Sequence, residues 1–227
     1  MRTNYKVITP RRAGYTVTGV FLVKKFVPLW QMIGFVFTGV IGTLLHFLFD
    51  WTAGNTIAAI FSGVNESIWE HTKLLFYPMA VFAVIEYLAW GREMPSFWCI
   101  KLIGILSGLI LIPVIYYTYT GVLGRKVDWF NIVIFFLASA TGYYMESKLF
   151  QKNTSCRLPD WGFLGIVCLL AVSYTVLTFH PIRIPLFQDS NTGEYGFFKA
   201  AANNEYENKT SLRIAQGGFC RKMDLQL

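Results

Sequence analysis

Five long apolar runs constrain the fold of this chain more than any other feature of its sequence. A helix needs about 20 apolar residues to cross the hydrocarbon core of a bilayer, because each residue advances it by only ~1.5 Å. The runs extend over residues 29–49, 74–90, 97–122, 129–145 and 161–179. Each run has a tryptophan at or beside one end, as in the aromatic belts of membrane proteins. The pattern predicts an all-α, polytopic transmembrane helix bundle with about five spans.

The composition argues against a soluble protein. Charged residues make up 15% of the 227 residues, whereas a soluble domain has about 25%. The formal net charge is +7, which in a soluble protein would suggest nucleic acid as a partner. Here the lysines and arginines flank the apolar runs, which is the arrangement that the positive-inside rule describes. We therefore predict membrane lipid as a partner and no nucleic-acid binding.

The distribution of basic residues predicts the orientation. Six of them precede the first run: Arg2, Lys6, Arg11, Arg12, Lys24 and Lys25. Because short cytoplasmic segments are enriched in lysine and arginine, we expect a multi-pass protein of the cell membrane with a cytoplasmic N-terminus and an extracytoplasmic C-terminus. The predicted domains are a cytoplasmic segment (1–28) with an interfacial helix at 14–23, a helix bundle (29–180), and an extracytoplasmic loop with a disordered tail (181–227).

Three smaller features complete the predicted architecture. Residues 56–64 are apolar but too few to cross a bilayer, so we expect a short interfacial or re-entrant helix between the first two spans. Gly104 and Gly108 form a GxxxG pattern, which allows close helix packing in membranes. The four cysteines contain no CxxC pair, and the sequence predicts neither a disulfide framework nor a zinc knuckle.

A polar stretch at residues 64–73 precedes the second span. Ser67 and Glu70 fit the capping box S-x-x-E, in which the serine and the glutamate satisfy free backbone N–H groups at the start of a helix. Capping explains these two residues without any chemistry, but it does not explain Glu66 or His71. The alternative is a polar site at the membrane surface, for which the candidate residues are Asn65, Glu66, Ser67, Trp69, Glu70, His71 and Lys73.

All three histidines fall near the predicted outer ends of different spans, and this placement suggests a metal site. His46 and Asp50 share one helix face in the first span, His71 begins the second, and His180 follows the fifth. Histidines with carboxylates are ligands for zinc and similar divalent metals. We take these four residues as candidate metal ligands, and Glu66 and Glu70 as candidate catalytic carboxylates that could act as a base. The simpler alternative is that His46 and Asp50 only hydrogen-bond each other.

Glu86 lies inside the second span, where an ionisable group is costly and often functional. It is a candidate for a proton or cation path. The alternative is that it reaches the membrane surface or pairs with Lys101 or Arg92.

The strings GVNESIWEHTKLLFYP, HFLFDW and PLFQDSNTGEYGF together resemble an uncharacterised family of small bacterial integral membrane proteins, a domain of unknown function. The resemblance covers about residues 29–197 and rests mainly on the Val-Asn-Glu-Ser-x-Trp-Glu-His core. It implies that nine positions match the family pattern: His46, Asn65, Glu66, Ser67, Trp69, Glu70, His71, Lys73 and Glu86. It implies no activity.

Three functions therefore remain open. The first is a membrane-embedded, metal-assisted hydrolase or a ligand-binding protein with a polar site at the outer face; its small-molecule or lipid ligand is unidentified. The second is a small transporter or permease component that uses Glu86, although the sequence shows no internal repeat of the kind that many transporters contain. The third is a non-catalytic assembly factor. A homo-oligomer is also open, since a dimer would restore the symmetry that a five-span chain lacks.

Overall fold

Helices account for nearly all of the regular structure in the computed structural model, which describes residues 17–94, 96–152, 154, 156 and 159–197. The six α-helices are α1 (Val17–Trp51), α2 (Thr56–Phe61), α3 (Ile68–Ala89), α4 (Phe97–Leu123), α5 (Asp128–Gln151) and α6 (Asp160–Phe179). Two short 3₁₀ helices lie at Gly91–Glu93 and Pro185–Phe187. The described residues contain no strand beyond one isolated bridge between Gln188 and Tyr195. The predicted all-α helix bundle is confirmed.

Four of the helices are long and apolar enough to cross a membrane: Lys24–Trp51, Ile68–Ala89, Phe97–Leu123 and Trp161–Phe179. They are compatible with a multi-pass membrane protein and contain four of the five predicted runs. The fourth run lies in α5, which is 24 residues long but is not among the four because its sequence is less apolar. In α5, polar side chains such as Asn131 and Glu146 interrupt the apolar sequence.

Helices α4 and α5 pack side by side and antiparallel. The carbonyl oxygen of Gly104 would lie 2.9 Å from a Cβ atom built on Gly142, and the carbonyl oxygen of Ala138 would lie 3.1 Å from a Cβ atom built on Gly108. Only glycine allows the two backbones to approach this closely. The close packing predicted from the GxxxG pattern is therefore confirmed.

The short helix α2 defines one end of the bundle, called here the α2 end. The side chain of Asn55 accepts a hydrogen bond from the Ile57 amide at 2.8 Å and so begins α2. Helix α1 ends here, α3 begins here and α6 ends here, and the loop that follows α6 folds back over α3. The short helix predicted between the first two spans is thus present.

At the opposite end of the bundle, the start of α1 contacts the end of α5. Lys24 Nζ donates a hydrogen bond to the Gln151 carbonyl oxygen at 3.3 Å. Cys99 and Cys156 form a disulfide at this end, with their Cα atoms 6.4 Å apart. The expectation that the cysteines form no disulfide is therefore wrong, because 57 residues separate the two and only the fold brings them together.

Two predicted features extend past the described residues. The interfacial helix predicted at 14–23 begins before the first described residue, and from Val17 its backbone is helical and continuous with α1. The tail predicted to be disordered, from residue 198 onward, lies outside the described residues altogether.

Candidate functional site

The α2 end brings together a cluster of His46, Glu66 and His71, called here the His–Glu–His cluster. Glu66 Oε1 lies 3.8 Å from His46 Nε2, and Glu66 Oε2 lies 3.5 Å from His71 Nε2. The centres of the two imidazole rings are 5.6 Å apart. The Glu66 side chain is 41% exposed. A carboxylate open to solvent thus lies between two imidazoles that come from different helices.

Local hydrogen bonds fix the His71 ring. His71 Nδ1 lies 2.9 Å from the Ser67 carbonyl oxygen. A carbonyl oxygen only accepts, so Nδ1 carries the proton in this bond and Nε2 faces Glu66. When Nε2 is protonated it donates toward Glu66, and when it is not, both groups present lone pairs. In the second case a donor from a ligand or a water molecule would satisfy them.

The loop after α6 holds Glu66 in place. The Glu66 amide donates to Asp189 Oδ2 at 3.1 Å, and its carbonyl oxygen accepts from the Ser190 amide at 3.4 Å. Asp189 Oδ1 also accepts from the amides of Asn191 and Thr192, at 2.7 and 2.9 Å. No local sequence pattern predicts this contribution of the loop, since 123 residues separate Glu66 from Asp189.

Glu70 and Lys73 form a buried ion pair beneath the cluster. Glu70 Oε2 lies 2.5 Å from Lys73 Nζ, and the two side chains are 3% and 0% exposed. Lys73 Nζ also donates to the Ala59 carbonyl oxygen at 2.9 Å and to Thr178 Oγ1 at 3.0 Å. Glu70 accepts from Thr178 Oγ1 at 2.8 Å and from the Val64 amide at 3.2 Å. These contacts join α2, α3 and α6, and they leave Glu70 little capacity for catalysis.

The remaining residues of the polar stretch have structural contacts. Ser67 caps α3 by accepting from the Glu70 amide at 3.3 Å, whereas the Ser67 amide donates to Asn65 Oδ1 at 3.0 Å. The serine half of the capping box is therefore present, and Asn65 replaces the glutamate in the other half. The Trp69 ring packs against Tyr174 and Phe187, with ring centres 4.6 and 4.9 Å away.

The four candidate metal ligands are only partly gathered. His46 and His71 are neighbours, and Asp50 lines a cavity together with His46. His180 is exposed at the end of α6, and in the described part of the chain its side chain makes no hydrogen bond or ion pair. Across the described residues, no group of three or more histidine, cysteine, aspartate or glutamate side chains is arranged to hold a metal ion. The zinc site remains a prediction that this geometry does not support.

Two cavities meet at the His–Glu–His cluster, and His46 and Glu66 line both. The first, called here the vestibule, has a volume of about 350 Å³ and is lined by His46, Phe47, Phe49, Asp50, Gly63, Val64, Asn65, Glu66, Asp189, Thr192, Glu194 and Gly196. The second, called here the groove, also has a volume of about 350 Å³ and is lined by Gly42, Thr43, His46, Phe47, Glu66, His71, Leu74, Asp128, Asn131, Ile132, Phe135, Phe136 and Asn191. Volumes of this size suit small ligands.

Glu86 belongs to a separate, buried cluster toward the opposite end. Its Oε1 atom accepts from Gln31 Nε2 at 2.9 Å, and its other oxygen pairs with Lys101 Nζ. Lys101 Nζ also lies 2.5 Å from Glu146 Oε2. All four side chains are buried. The predicted pairing of Glu86 with Lys101 is present, whereas Glu146 as the second carboxylate on Lys101 was not predicted.

A protein-family model described as a family of unknown function, DUF6512, matches residues 23–197. The match contains α2 to α6, all of α1 from residue 23 onward, and the lining of both cavities. No curated protein and no solved structure matches the chain.

Proposed function

The chain belongs to this family of unknown function, and from its site we propose that it is a multi-pass integral membrane protein that binds a small ligand at its extracytoplasmic end. The ligand carries a hydrogen-bond donor or a positive charge, which the Glu66 carboxylate accepts between His46 and His71. The observation that carries the proposal is the position of Glu66, which lines both cavities and lies between the two imidazoles.

The partners of the neighbouring carboxylates support Glu66 as the ligand-binding group. Both oxygens of Glu70 are taken up by Lys73, Thr178 and Val64. Both oxygens of Asp189 accept hydrogen bonds from backbone amides. Among the residues that the structure describes, the Glu66 carboxylate pairs only with the two imidazoles, at distances that are long for hydrogen bonds. A ligand donor placed there would complete its hydrogen bonding.

The proposed topology has five spans with the N-terminus in the cytoplasm. Because α5 lies antiparallel along α4, it covers the same depth as α4 and would cross the bilayer with it. Lys24, Lys25, Arg92, Lys148 and Lys152 lie toward the end opposite α2. The positive-inside rule assigns that end to the cytoplasm, so the His–Glu–His cluster faces outward.

The test compares ligands that remain bound to the full chain after purification in a mild detergent. Compounds extracted from the wild type, Glu66→Gln and Glu93→Gln are identified by mass spectrometry. Glu93 is an exposed glutamate at the opposite end and serves as the matched control. We expect a compound that the wild type and Glu93→Gln retain and that Glu66→Gln loses about tenfold or more, since a hydrogen bond to a charged group contributes roughly 1.5–3 kcal/mol. Equal retention by all three proteins would refute the proposal.

Metal-assisted hydrolysis is a second candidate function because of one observation. The Nδ1 bond to a backbone carbonyl is the usual arrangement of a metal-ligating histidine, and His71 has it. Elemental analysis of the same preparations, with His46→Gln, His71→Gln and His180→Gln added, tests this alternative. One zinc ion per chain that His46→Gln and His71→Gln lose and that His180→Gln keeps would favour the hydrolase. The transporter and assembly-factor functions remain predictions without a supporting contact at this site.

A further inference from the structure

The groove is mainly polar nearest the α2 end and mainly apolar deeper in the bundle, with Phe47 and Thr43 on α1 as the exceptions. Nearest the α2 end its residues are polar: His46 on α1, His71 on α3, and Asp128 and Asn131 on α5. About one turn deeper they are apolar or small: Gly42 on α1, Leu74 on α3, and Phe135 and Phe136 on α5. The groove therefore has a polar head region and an apolar body, as an amphiphile does.

The apolar body of the groove lies beside surfaces that would contact lipid chains. Ile132 and Phe136 on α5 line the groove and are 61% and 39% exposed. Val40 and Leu44 are exposed on α1. In a bilayer, side chains exposed in this way face hydrocarbon. A lipid chain can therefore enter the groove from the side without crossing water.

The vestibule that joins the groove at His46 and Glu66 is rich in carboxylates. Asp50, Glu66, Asp189 and Glu194 line it, and among the described residues of its lining His46 alone can carry a positive charge. A concave site lined by charge of one sign attracts the opposite sign. Phe47 and Phe49 also line the vestibule, and aromatic faces favour cations.

We infer that the groove and the vestibule together bind one membrane amphiphile, with its acyl chain in the groove and a cationic amine headgroup in the vestibule beside Glu66. This inference rests on the proposed function and names the chemical class of its ligand. The polarity gradient of the groove accounts for the chain, and the carboxylates account for the sign of the headgroup.

The test uses native mass spectrometry of the full chain in detergent with two added probes. Phosphatidylethanolamine and phosphatidylglycerol with the same acyl chains differ in whether the headgroup carries an ammonium. We expect the wild type to retain phosphatidylethanolamine about tenfold better, because one favourable charge contact in a partly desolvated site is worth roughly one factor of ten. Equal retention of the two lipids would overturn the inference.

Two α5 variants test the groove separately from the headgroup site. In Ile132→Trp the larger side chain fills the groove, and we expect about tenfold weaker retention of phosphatidylethanolamine, since each excluded methylene costs about 0.8 kcal/mol. Val133→Trp is the matched control, because Val133 is exposed on the same helix and does not line the groove. If the two variants bind alike, the acyl chain does not occupy the groove.

The proposed function and this inference fail in different ways. If Glu66→Gln loses phosphatidylethanolamine and Ile132→Trp retains it, the Glu66 site stands. The inference that an amphiphile places its acyl chain in the groove is then overturned. Loss in Ile132→Trp with unchanged binding in Glu66→Gln keeps a lipid groove but overturns the headgroup contact that the inference requires.

Discussion

At the scale of residues, Glu66 and Glu70 lie four positions apart but in opposite environments. Glu70 is 3% exposed, is paired with Lys73 and accepts two further hydrogen bonds. Glu66 is 41% exposed and has two imidazoles at longer distances. A buried carboxylate with partners on both oxygens stabilises the fold, whereas an exposed and incompletely bonded one is available to a ligand. The two glutamates should therefore respond differently to the same substitution.

We expect Glu70→Gln to lower the free energy of unfolding by about 3–5 kcal/mol, because it leaves the buried ammonium of Lys73 without an opposite charge. Glu66→Gln, which makes the same chemical change four residues earlier, should cost less than ~1 kcal/mol. Thermal unfolding in detergent, followed by circular dichroism, measures both. A comparable loss in the two variants would show that the Glu70–Lys73 pair does not hold α2, α3 and α6 together.

The sequence alone predicts a contact when its two partners are close together in the chain. The Ser67 cap lies within three residues of its partner, so a short pattern identifies it. Thr178 reaches the Glu70–Lys73 pair from 108 positions away, and Glu146 reaches Lys101 from 45 positions away. No spacing rule connects such residues, because the folded helices bring them together. For the same reason the sequence grouped His180 with the other histidines, while the fold leaves it exposed at the end of α6.

At the scale of elements, the contact between α4 and α5 depends on small residues. A Cβ atom on Gly104 would lie 2.3 Å from Glu146 Cγ, while a Cβ atom on Gly121 in the same helix would meet nothing within 4 Å. The length of the apolar runs predicted both helices. Only the GxxxG pattern indicated which face of α4 packs closely against another helix. The pattern does not identify Glu146 and Gly142 on α5 as the residues that this face contacts.

We expect Gly104→Ala to destabilise the protein by about 1–3 kcal/mol, since overpacking a close contact forces its neighbours to shift. Gly121→Ala should be neutral or stabilise by up to ~1 kcal/mol, because alanine is the better helix former and has room there. The midpoint of thermal unfolding in detergent compares the two variants. Equal midpoints for both would argue against tight packing of α4 on α5.

At the scale of the whole molecule, two observations favour opposite sides of the membrane for the end opposite α2. Lys24, Lys25, Arg92, Lys148 and Lys152 place this end in the cytoplasm by the positive-inside rule. The Cys99–Cys156 disulfide lies at the same end, and disulfides are rare in the reducing cytoplasm. The fold brings the two cysteines together in either orientation, whereas the compartment decides whether they are oxidised. We give the basic residues more weight because five of them agree.

The disulfide and the proposed orientation exclude each other in the cell: if the N-terminus is cytoplasmic, the reducing compartment would keep Cys99 and Cys156 as free thiols. In a Cys168→Ser, Cys220→Ser background, acid-quenched cells treated with a maleimide polymer should show two labelled cysteines per chain before any reduction. The same background with Cys99→Ser and Cys156→Ser added has no cysteine left and serves as the unlabelled control. Labelling that appears only after a reductant would place this end in an oxidising compartment and reverse the proposed orientation.

The hydrogen bonds between Glu66 and the residues Asp189 and Ser190 can form only late in the synthesis of the protein. The Glu70–Lys73 pair spans a single helical turn, so it can form as soon as α3 leaves the ribosome and enters the membrane. Glu66 must wait for a segment that is translated more than a hundred residues later. A nascent or truncated chain that stops after α6 therefore carries all three residues of the His–Glu–His cluster but lacks the loop that fixes its central carboxylate. The proposed binding site is therefore complete only after the segment that follows α6 has been translated.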